Sequence, residues 1–406
     1  MKNHRLYLFI CLCVSILTSI SCSQGKDEFR AVTDGQESVL VKVPIHVGQL
    51  PMETNHASSD TRSTMPMGPE QENPMRTLAV VQFDNEGNLL EINPNNAHPY
   101  YHFIDLTSSD NLSGVISTDL NNISLFASEE RDTRICLIAN KTETEIGALL
   151  WDEEANRNLL WNEFRLQTIE IPYKLPEKGN DVDSLGHVNE IYMYGHYEGT
   201  LSMNGDSPEV GNAKPLSISM ARIIARVEMN IKLAENVNIP DGYHVFFGMY
   251  NVEQSAYLVP GAANYLTDNL IHNHITFDPV DRTEGLSQVA KTFYFYMAPH
   301  IVLNTRNNAT YFAIWCVKEG VSAEDLQKDK DEAENSGRTP NYPYAQILIC
   351  NDPLMDEEKP SVEGAYWINR NSIYHVNLTL TYTDNAASTR CLAGREYEIN
   401  LNRLIH

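Results

Sequence analysis

The stretch Val39-Leu40-Val41-Lys42-Val43-Pro44-Ile45-His46-Val47 indicates the fold class of this 406-residue chain. Successive side chains of a β-strand point to opposite faces, so alternate positions share one face. Residues branched at Cβ favour that conformation. Here every second position holds such a residue: Val39, Val41, Val43, Ile45 and Val47. The stretch therefore predicts a strand with one fully apolar face.

Strand signals recur along the rest of the chain. Residues 78–83 are densely apolar, and the turn Asp84-Asn85-Glu86-Gly87 that follows predicts a hairpin, with Gly87 supplying a positive φ. The run over residues 133–140 contains five consecutive apolar residues, 135–139, which is typical of a buried central strand. The longest alternating run, residues 218–233, predicts one long strand with one buried face. Further strands are predicted at residues 243–250, 292–297, 311–317, 345–350 and 373–382.

Helical signals are few. Residues 143–167 carry leucines, tryptophans and acids at helical spacing, which predicts one or two short helices. Ser322 and Asp325 predict the capped start of another short helix that ends near Ser336. Strands at irregular spacing with few helices indicate an all-β protein, mainly β with a few short helices, built from β-sandwich domains.

The length suits two domains. A loop rich in Gly, Pro and Asn at residues 205–215 marks the best boundary between them. The predicted division is a first sandwich over residues 63–212 and a second over residues 213–406. The 42% hydrophobic content can fill two cores.

Charge and motifs exclude several classes of function. The net charge of −24 argues against nucleic-acid binding, which needs a basic surface to displace counterions from phosphates. Phosphate loops, nucleophile elbows and metal-ligand motifs are missing from the sequence, so neither an enzyme nor a cofactor is expected. Cys136, Cys316 and Cys350 lie in apolar strand-like runs, which predicts buried thiols without a disulfide framework.

The N-terminus predicts an export signal over residues 1–21. Lys2 and Arg5 precede an apolar run that is too short to span a bilayer, and Ser21 stands before Cys22. This layout favours lipidation of Cys22. The alternative is a plain secretory cleavage that leaves Cys22 as an ordinary residue, because Ser19 stands where a bacterial lipoprotein signal usually has Leu.

A long loop without periodicity follows the first strand, over residues 48–74. A loop of this length is functional or flexible. It contains Arg62, followed by Ser63, in a polar segment of the kind that proteases cut.

An ordered series of motifs resembles the fimbrillins, the subunits of the type V pili made by Bacteroidia. The resemblance covers nearly the whole chain and depends on the order and spacing of the motifs. After the signal, Cys22, the first strand and the loop with Thr61-Arg62-Ser63, the series continues with residues 78–87, Arg134-Ile135-Cys136-Leu137-Ile138-Ala139-Asn140, Met193-Tyr194-Gly195, Met220-Ala221-Arg222-Ile223-Ile224-Ala225-Arg226-Val227, Ala263-Asn264-Tyr265-Leu266, residues 293–299, Ile368-Asn369-Arg370-Asn371 and residues 374–380.

The resemblance implies two transthyretin-like β-sandwich domains and export as a lipoprotein to the outer membrane. In such subunits an Arg-specific surface protease removes the lipidated propeptide, here residues 22–62, together with its first strand. A strand from the tail of a neighbouring fimbrial subunit then fills the groove, and the subunit enters a cell-surface fimbrium with a role in adhesion and biofilm. We expect cleavage between Arg62 and Ser63, because a cut at Arg30 would leave the first strand in place and Arg76 lies too close to the next strand.

The C-terminal tail bears on the position of the subunit in the pilus. Its sole alternating stretch contains Tyr397, Ile399 and Leu401, which are the candidate donor residues of a short tail. A subunit with a cleavable first strand and a tail that is a weak donor strand is expected at the tip. The sequence is compatible with both the stalk role and the tip role. The alternative is an anchor or another non-polymerising surface lipoprotein that binds a host or bacterial glycan or protein.

Overall fold

The computed structural model describes residues 30–33, 36–54, 74–107, 114–171, 173–174, 184–188, 191–202, 213–261, 274–300, 309–350, 367–383, 389–391 and 396–405. Within these ranges the protein is mainly β.

The chain forms its strands in the following order. Up to the change of domain they are β1 (Arg30–Thr33), β2 (Gln36–Gln49), β3 (Glu53–Thr54), β4 (Thr77–Phe83), β5 (Tyr101–Asp105), β6 (Ser117–Ala139), β7 (Trp151–Asp152), β8 (Arg157–Asn158), β9 (Thr168–Glu170), β10 (Tyr173–Lys174), β11 (Ser184–Val188), β12 (Met193–Leu201) and β13 (Leu216–Arg222). After it they are β14 (Ala225–Leu233), β15 (Tyr243–Glu253), β16 (Ser255–Tyr257), β17 (His274–Asp281), β18 (Lys291–Met297), β19 (Tyr311–Lys318), β20 (Tyr344–Leu348), β21 (Ser372–Thr381), β22 (Thr389–Cys391) and β23 (Glu396–Asn400).

Three α-helices are described: α1 (Glu143–Leu150), α2 (Trp161–Phe164) and α3 (Ala323–Ser336). A 3₁₀ turn (Leu401–Arg403) follows β23. The helices begin where the sequence predicts. Thr142 and Glu145 form a capping box at α1, and Ser322 and Asp325 form one at α3. None of the described helices combines the length and the apolar character that crossing a membrane requires.

The first domain is a seven-stranded sheet in the order β1-β2-β13-β12-β6-β4-β5, with an additional pairing between β2 and β6. The 23-residue strand β6 is long enough to pair with β2 along its first part and with β4 and β12 along its second. The core contains the inward faces of these strands and apolar residues of α1 and α2. Phe83 at the end of β4 packs against Phe164, with 5.1 Å between their ring centroids.

The second domain contains two facing sheets. One has the order β10-β11-β18-β14-β21-β23-β22, and the other has the order β17-β15-β19-β20. Phe293 and Phe295 of β18 lie in the core between them, whereas Tyr296 on the opposite face packs into the first domain's core. Helix α3 covers the outer face of the four-stranded sheet, where its Leu326 packs in a cluster with Trp315.

Segments from the first half of the chain also complete the second domain. β3 pairs with β21 and β11 pairs with β18, both in parallel. In the other direction β16 pairs with β9, which places Ala256 and Leu258 in the first core. The two domains are therefore joined by strand pairing as well as by the chain itself.

The predicted hairpin after residue 83 is only partly formed. The turn exists, since Gly87 has a φ of 93° and the Gly87 amide donates to the Asp84 carbonyl over 3.1 Å. The segment after it makes one bridge, between Phe83 and Leu89, and no strand. Backbone bonds from the Asp84 amide to the Asn88 carbonyl and from the Leu90 amide to the Gln82 carbonyl close the loop, together with bonds from Asn88 to the Asp84 carboxylate.

The prediction of a single strand over residues 218–233 was wrong, because the structure has two strands there, in different sheets. In β13 the even positions are buried, and in β14 the odd positions are buried. The consecutive buried pair Ile223-Ile224 changes the phase between them. A one-residue change of phase turns every later side chain to the other face. The change of sheet therefore falls between Arg222 and Ala225, whereas the sequence places the domain boundary at residues 212 and 213.

We expect Gly195→Ala to destabilise the first domain by about 1–3 kcal/mol, the usual cost of overpacking a close contact. A Cβ on Gly195 of β12 would lie 2.6 Å from the backbone carbonyl oxygen of Ser219 in β13, and backbone cannot move aside as a side chain can. Thermal unfolding measures the effect.

Gly147→Ala in α1 is the matched control, because its new Cβ would come no closer than 3.8 Å to the Tyr101 hydroxyl. Alanine also favours a helix over glycine by roughly 0.5–1 kcal/mol. Equal losses of stability in the two variants would contradict this account of the β12–β13 contact.

An ion-pair cluster joins β14 and β21 in the second domain. Glu228 bonds to Arg226 on its own strand and to His375 Nδ1 over 3.0 Å on the neighbouring strand. Burial by itself raises the pKa of the Glu228 carboxyl, but the hydrogen bond from His375 and the charge of Arg226 outweigh it and hold the pKa below its ordinary value.

This lowered pKa predicts a pH-dependent contribution to stability. A depressed folded-state pKa stabilises the fold fully above the unfolded value of about 4.5 and ceases to do so as the pH falls through the folded value. We therefore expect the wild type to exceed Glu228→Gln in stability at pH 7, with a gap that narrows below pH 4.5. The exposed Glu235→Gln is the control, and a gap that stays constant from pH 7 to pH 3 would contradict the prediction.

Candidate functional site

The strand β2 forms backbone ladders with two partners at once. Residues 39–48 run antiparallel to residues 117–127 of β6, and residues 45–49 run parallel to residues 216–220 of β13. Because β12 pairs with both β6 and β13, β2 closes a ring of four paired strands. Without β2, the first part of β6 and most of β13 would face each other as two unpaired edges.

Pro44 lies at the one irregularity in the β2–β6 ladder. The register shifts between Val43 and Ile45, and the second ladder, to β13, begins at Ile45. Proline has no N–H to donate and is tolerated in a sheet mainly at edges and bulges. The bulge therefore lets a proline occupy a strand that has a partner on each side from residue 45 onward.

The apolar face of β2 fills the first core. Val41, Val43, Ile45 and Val47 are each at most 1% exposed, and Val39 at the start of the run is half-buried. Fully burying one such side chain contributes at most about 1.5–3 kcal/mol, so the four together contribute about 6–12 kcal/mol. Whole domains are stable by roughly 5–15 kcal/mol. The strand is therefore required for the stability of the first domain.

The opposite face of β2 contributes little. Lys42 donates to the Ser124 hydroxyl over 2.7 Å, and His46 Nδ1 lies 2.7 Å from Asp119 Oδ1. The His46 and Asp119 side chains are both more than half exposed, and pairs of that kind contribute little in water. The backbone ladders and the apolar face therefore hold the strand.

Directly after β2 the chain enters the junction between the domains, where it meets a buried arginine. Arg222, at the end of β13, is fully buried. Its Nη1 donates to the Leu50 carbonyl and its Nη2 to Gln49 Oε1, each over 3.1 Å. Burial, together with the charge of Arg226, lowers the pKa of Arg222 to about 10, so the guanidinium stays charged at neutral pH.

Asn371, directly before β21, completes this junction from the second domain. Its Nδ2 donates to the Pro51 carbonyl over 2.9 Å, and its Oδ1 accepts from the Arg222 amide over 3.2 Å. Its own amide donates to the Ile224 carbonyl over 2.8 Å. The φ of Asn371 is 53°, a conformation that Asn adopts more readily than most residues.

The residues predicted to mark the mature N-terminus lie outside the described ranges. These are Cys22, Arg62 and Ser63. The backbone of Arg30 lies within β1, which forms a hairpin with β2.

The candidate donor residues of the tail lie inside the second domain. β23 pairs in parallel with β21 and antiparallel with β22. Tyr397, Ile399 and Leu401 are buried in the second core, with exposures of 5%, 0% and 0%. Asn400 exchanges hydrogen bonds with the backbone of Thr383, which fastens the end of the tail. In this structure the chain thus uses its own tail as a core strand.

The described residues offer little reactive chemistry. No group of three or more His, Cys, Asp or Glu side chains in this part of the chain could hold a metal ion. Cys136, Cys316 and Cys350 are buried as predicted. Burial raises the pKa of the Cys136 and Cys316 thiols to about 12, which keeps them protonated at neutral pH.

Sequence reasoning missed the roles of Arg222 and Asn371, although both lie in the quoted motifs. A signal for Arg222 was present. Arg222 follows Leu216, Ile218 and Met220 at the even, inward-facing positions of β13, where a charged side chain requires buried hydrogen-bond acceptors. No local pattern identifies Asn371, because its partners come from distant segments of the chain.

Fold and site together define a two-domain β protein whose first sheet is closed by its N-terminal strand. No family model matches the sequence, and no curated protein reaches a significant match. Its structural neighbours include fimbrial proteins of Bacteroidia.

Three of these neighbours indicate the level of similarity. A candidate cell adhesion protein from Parabacteroides distasonis ATCC 8503 is 14% identical with a TM-score of 0.49, covering 84% of this chain and 88% of its own. The tip fimbrial protein Mfa3 from Porphyromonas gingivalis, truncated at its C-terminus, is 13% identical with a TM-score of 0.45, covering 83% and 94%. The fimbrilin FimA from Porphyromonas gingivalis W83 is 12% identical with a TM-score of 0.44, covering 89% and 97%. Identities this low leave function to be inferred from the chain's own geometry.

We expect Ile45→Ala to destabilise the uncleaved protein by about 2–5 kcal/mol, the usual cost of truncating a buried isoleucine. The neighbouring His46→Ala, on the exposed face of the same strand, is the matched control and should change stability by less than about 0.5 kcal/mol. Denaturant unfolding followed by tryptophan fluorescence measures both. Similar small effects from the two variants would mean that β2 is not a core strand in solution.

Proposed function

We propose that this chain is a structural subunit of a cell-surface pilus. It is exported as a lipoprotein precursor on Cys22 and cleaved between Arg62 and Ser63 by an Arg-specific surface protease. The strand β2 is then exchanged for a strand of a neighbouring subunit. Its partners are other fimbrial subunits and, through the lipid, the outer membrane.

The position of β2 carries this proposal. A strand that has a partner on each side and fills the core through Val41, Val43, Ile45 and Val47 leaves two complementary features when it departs. These are two rows of unpaired backbone groups and a row of empty apolar pockets. Unpaired edges of this kind bind an extended segment by strand addition, and the pockets select its alternate side chains.

The connectivity of the chain supports a cut at Arg62. The next strand of the first sheet, β4, begins at Thr77, so the link between β2 and β4 passes through Arg62. Cleavage there leaves β2 held by non-covalent contacts alone. It then loses the high effective concentration that a continuous chain provides, so an external strand can compete with it.

The tail supports a receiving position, such as the tip. A donor must release its strand, and release of β23 would remove Tyr397, Ile399 and Leu401 from the second core. A subunit that accepts a strand and keeps its own tail terminates a chain of exchanges. This favours the tip over the stalk.

A second candidate function is an anchor. The four buried side chains that make β2 a groove-filling strand also hold it firmly in an uncut chain. A protein that keeps β2 would remain attached through Cys22 and could not accept another strand. The two functions differ in whether Arg62 is cut.

Treatment of the purified precursor with an Arg-specific protease tests the proposal. We expect the larger product to begin at Ser63 by N-terminal sequencing. We also expect it to exchange its N-terminal fragment for an added peptide that contains residues 36–54, as measured by mass spectrometry under native conditions. Cells that carry the wild type should yield protein beginning at Ser63 in sheared surface fibres.

Arg62→Ala is the control for cleavage, and it should remain a full-length monomer under the same treatment. Ile45→Ala within the added peptide is the control for exchange, and it should compete at least tenfold less well. A precursor that is cut at Arg62, loses residues 22–62 and stays folded without any replacement strand would contradict strand exchange. A blocked Cys22 on the protein from fibres would support the anchor instead.

A further inference from the structure

Residues 49–51, which follow the apolar run of β2, are bound by two side chains from different domains. Arg222 donates to Gln49 Oε1 and to the Leu50 carbonyl, and Asn371 donates to the Pro51 carbonyl. The Leu50 amide in turn donates to the Met220 carbonyl over 2.8 Å. Three successive residues are therefore bound one after another.

Arg222 and Asn371 also fix each other. Asn371 Oδ1 accepts from Arg222 Nη1 over 3.3 Å as well as from the Arg222 amide. The guanidinium thus lies between the amide of Asn371 on one side and residues 49–50 on the other. Both side chains are less than 10% exposed, which keeps their orientation independent of solvent.

Most of these contacts go to the backbone of the bound segment. Three of the contacts are made by backbone groups that any peptide would provide: the carbonyls of Leu50 and Pro51 and the amide of Leu50. Among these contacts, the Gln49 side chain is the one side-chain acceptor. Hydrogen bonds from a charged donor such as the Arg222 guanidinium are stronger than neutral ones. A different extended chain could therefore occupy the same place.

Removal of the segment would leave a costly arrangement. Arg222 would lose two acceptors while its charge remained buried among apolar residues of the first core. A buried charge that loses hydrogen-bond acceptors destabilises the structure that contains it. The empty site therefore favours any ligand that brings carbonyl oxygens to the same two places.

We propose that Arg222 and Asn371 form a main-chain binding site that holds residues 49–51 in the precursor and binds the carbonyl oxygens of an incoming strand from a second subunit. This inference depends on the strand exchange of the proposed function and adds a requirement to it. A donor strand must continue past the side chain that takes the place of Val47, by the length of residues 49–51, to fill the site. The apolar pockets select the side chains of the donor, and this site selects its length and register.

Competition between two peptides tests the site on the full chain cleaved between Arg62 and Ser63. A long peptide comprises residues 36–54, and a short peptide ends at Gly48 and therefore lacks the bound segment. Each displaces a fluorescently labelled resident fragment, and the concentration for half-displacement is measured. For the wild type we expect the short peptide to require at least tenfold more than the long one.

The two site variants identify the source of that ratio, because the long peptide also buries Met52 and gains pairing with β13 and β21. Arg222→Lys keeps the charge and loses the forked donor. Asn371→Gly keeps the positive φ and loses the amide. In each variant we expect the ratio between the peptides to fall to about threefold or less. Arg226→Lys is the matched control, since Arg226 is a buried arginine on β14 that bonds to Glu228, and it should keep the wild-type ratio.

The outcomes separate this inference from the proposed function. Equal displacement by the two peptides on the wild type would overturn the main-chain site and leave strand exchange intact. A ratio that stays above tenfold in both Arg222→Lys and Asn371→Gly would overturn it as well. Failure of both peptides to displace the fragment at any concentration would overturn the exchange itself and this inference with it.

Discussion

The structure of the first domain depends on the two backbone ladders that β2 forms at the same time. Buried N–H and C=O groups must be paired, and β6 and β13 each present a row of them to the same gap. One strand satisfies both rows, and its alternation places four branched side chains in the core. Backbone pairing and apolar burial therefore depend on the same 14 residues.

The junction between the domains follows from the way β13 ends. The consecutive pair Ile223-Ile224 breaks the alternation, which moves the chain from one sheet to the other without a loop. The last inward position before the break is Arg222, so a charged side chain enters the interior at the point where the two cores meet. Its charge can be accommodated only if carbonyl and amide oxygens converge there. Residues 49–50 and Asn371 supply them, and the first strand is thereby linked to both domains.

Local patterns in the sequence predicted the class of the protein well and its long-range organisation less well. β2, β4, β15, β18, β19, β20 and β21 were visible because alternation and apolar runs are properties of neighbouring residues. The first part of β6 was missed, since residues 117–127 include several polar residues whose strand conformation is imposed by pairing with β2. The change of phase at Ile223-Ile224 was present in the sequence, but the apolar pair bridges the two alternations and conceals it. The hydrogen-bond partners of Arg222 could not be predicted, because Leu50 and Asn371 approach it only in the folded chain.

The strands β2 and β23 each complete a core, but they differ in how the chain connects them to it. Both β2 and β23 insert alternating apolar residues into a core. A long link joins β2 to β4, the next strand of the first sheet, whereas β23 follows β21 and β22 in the sheet that it completes and is fastened by Asn400. A cut before Thr77 would leave the first strand dependent on contacts alone, while the tail would stay covalently attached to the domain that it completes. Freeing either strand exposes its apolar face to water, which costs about 1.5–3 kcal/mol for each fully buried side chain. The proposed cut between β2 and β4 would remove the covalent constraint from the N-terminal strand and not from the tail. The asymmetry between the ends therefore supports the receiving position proposed above.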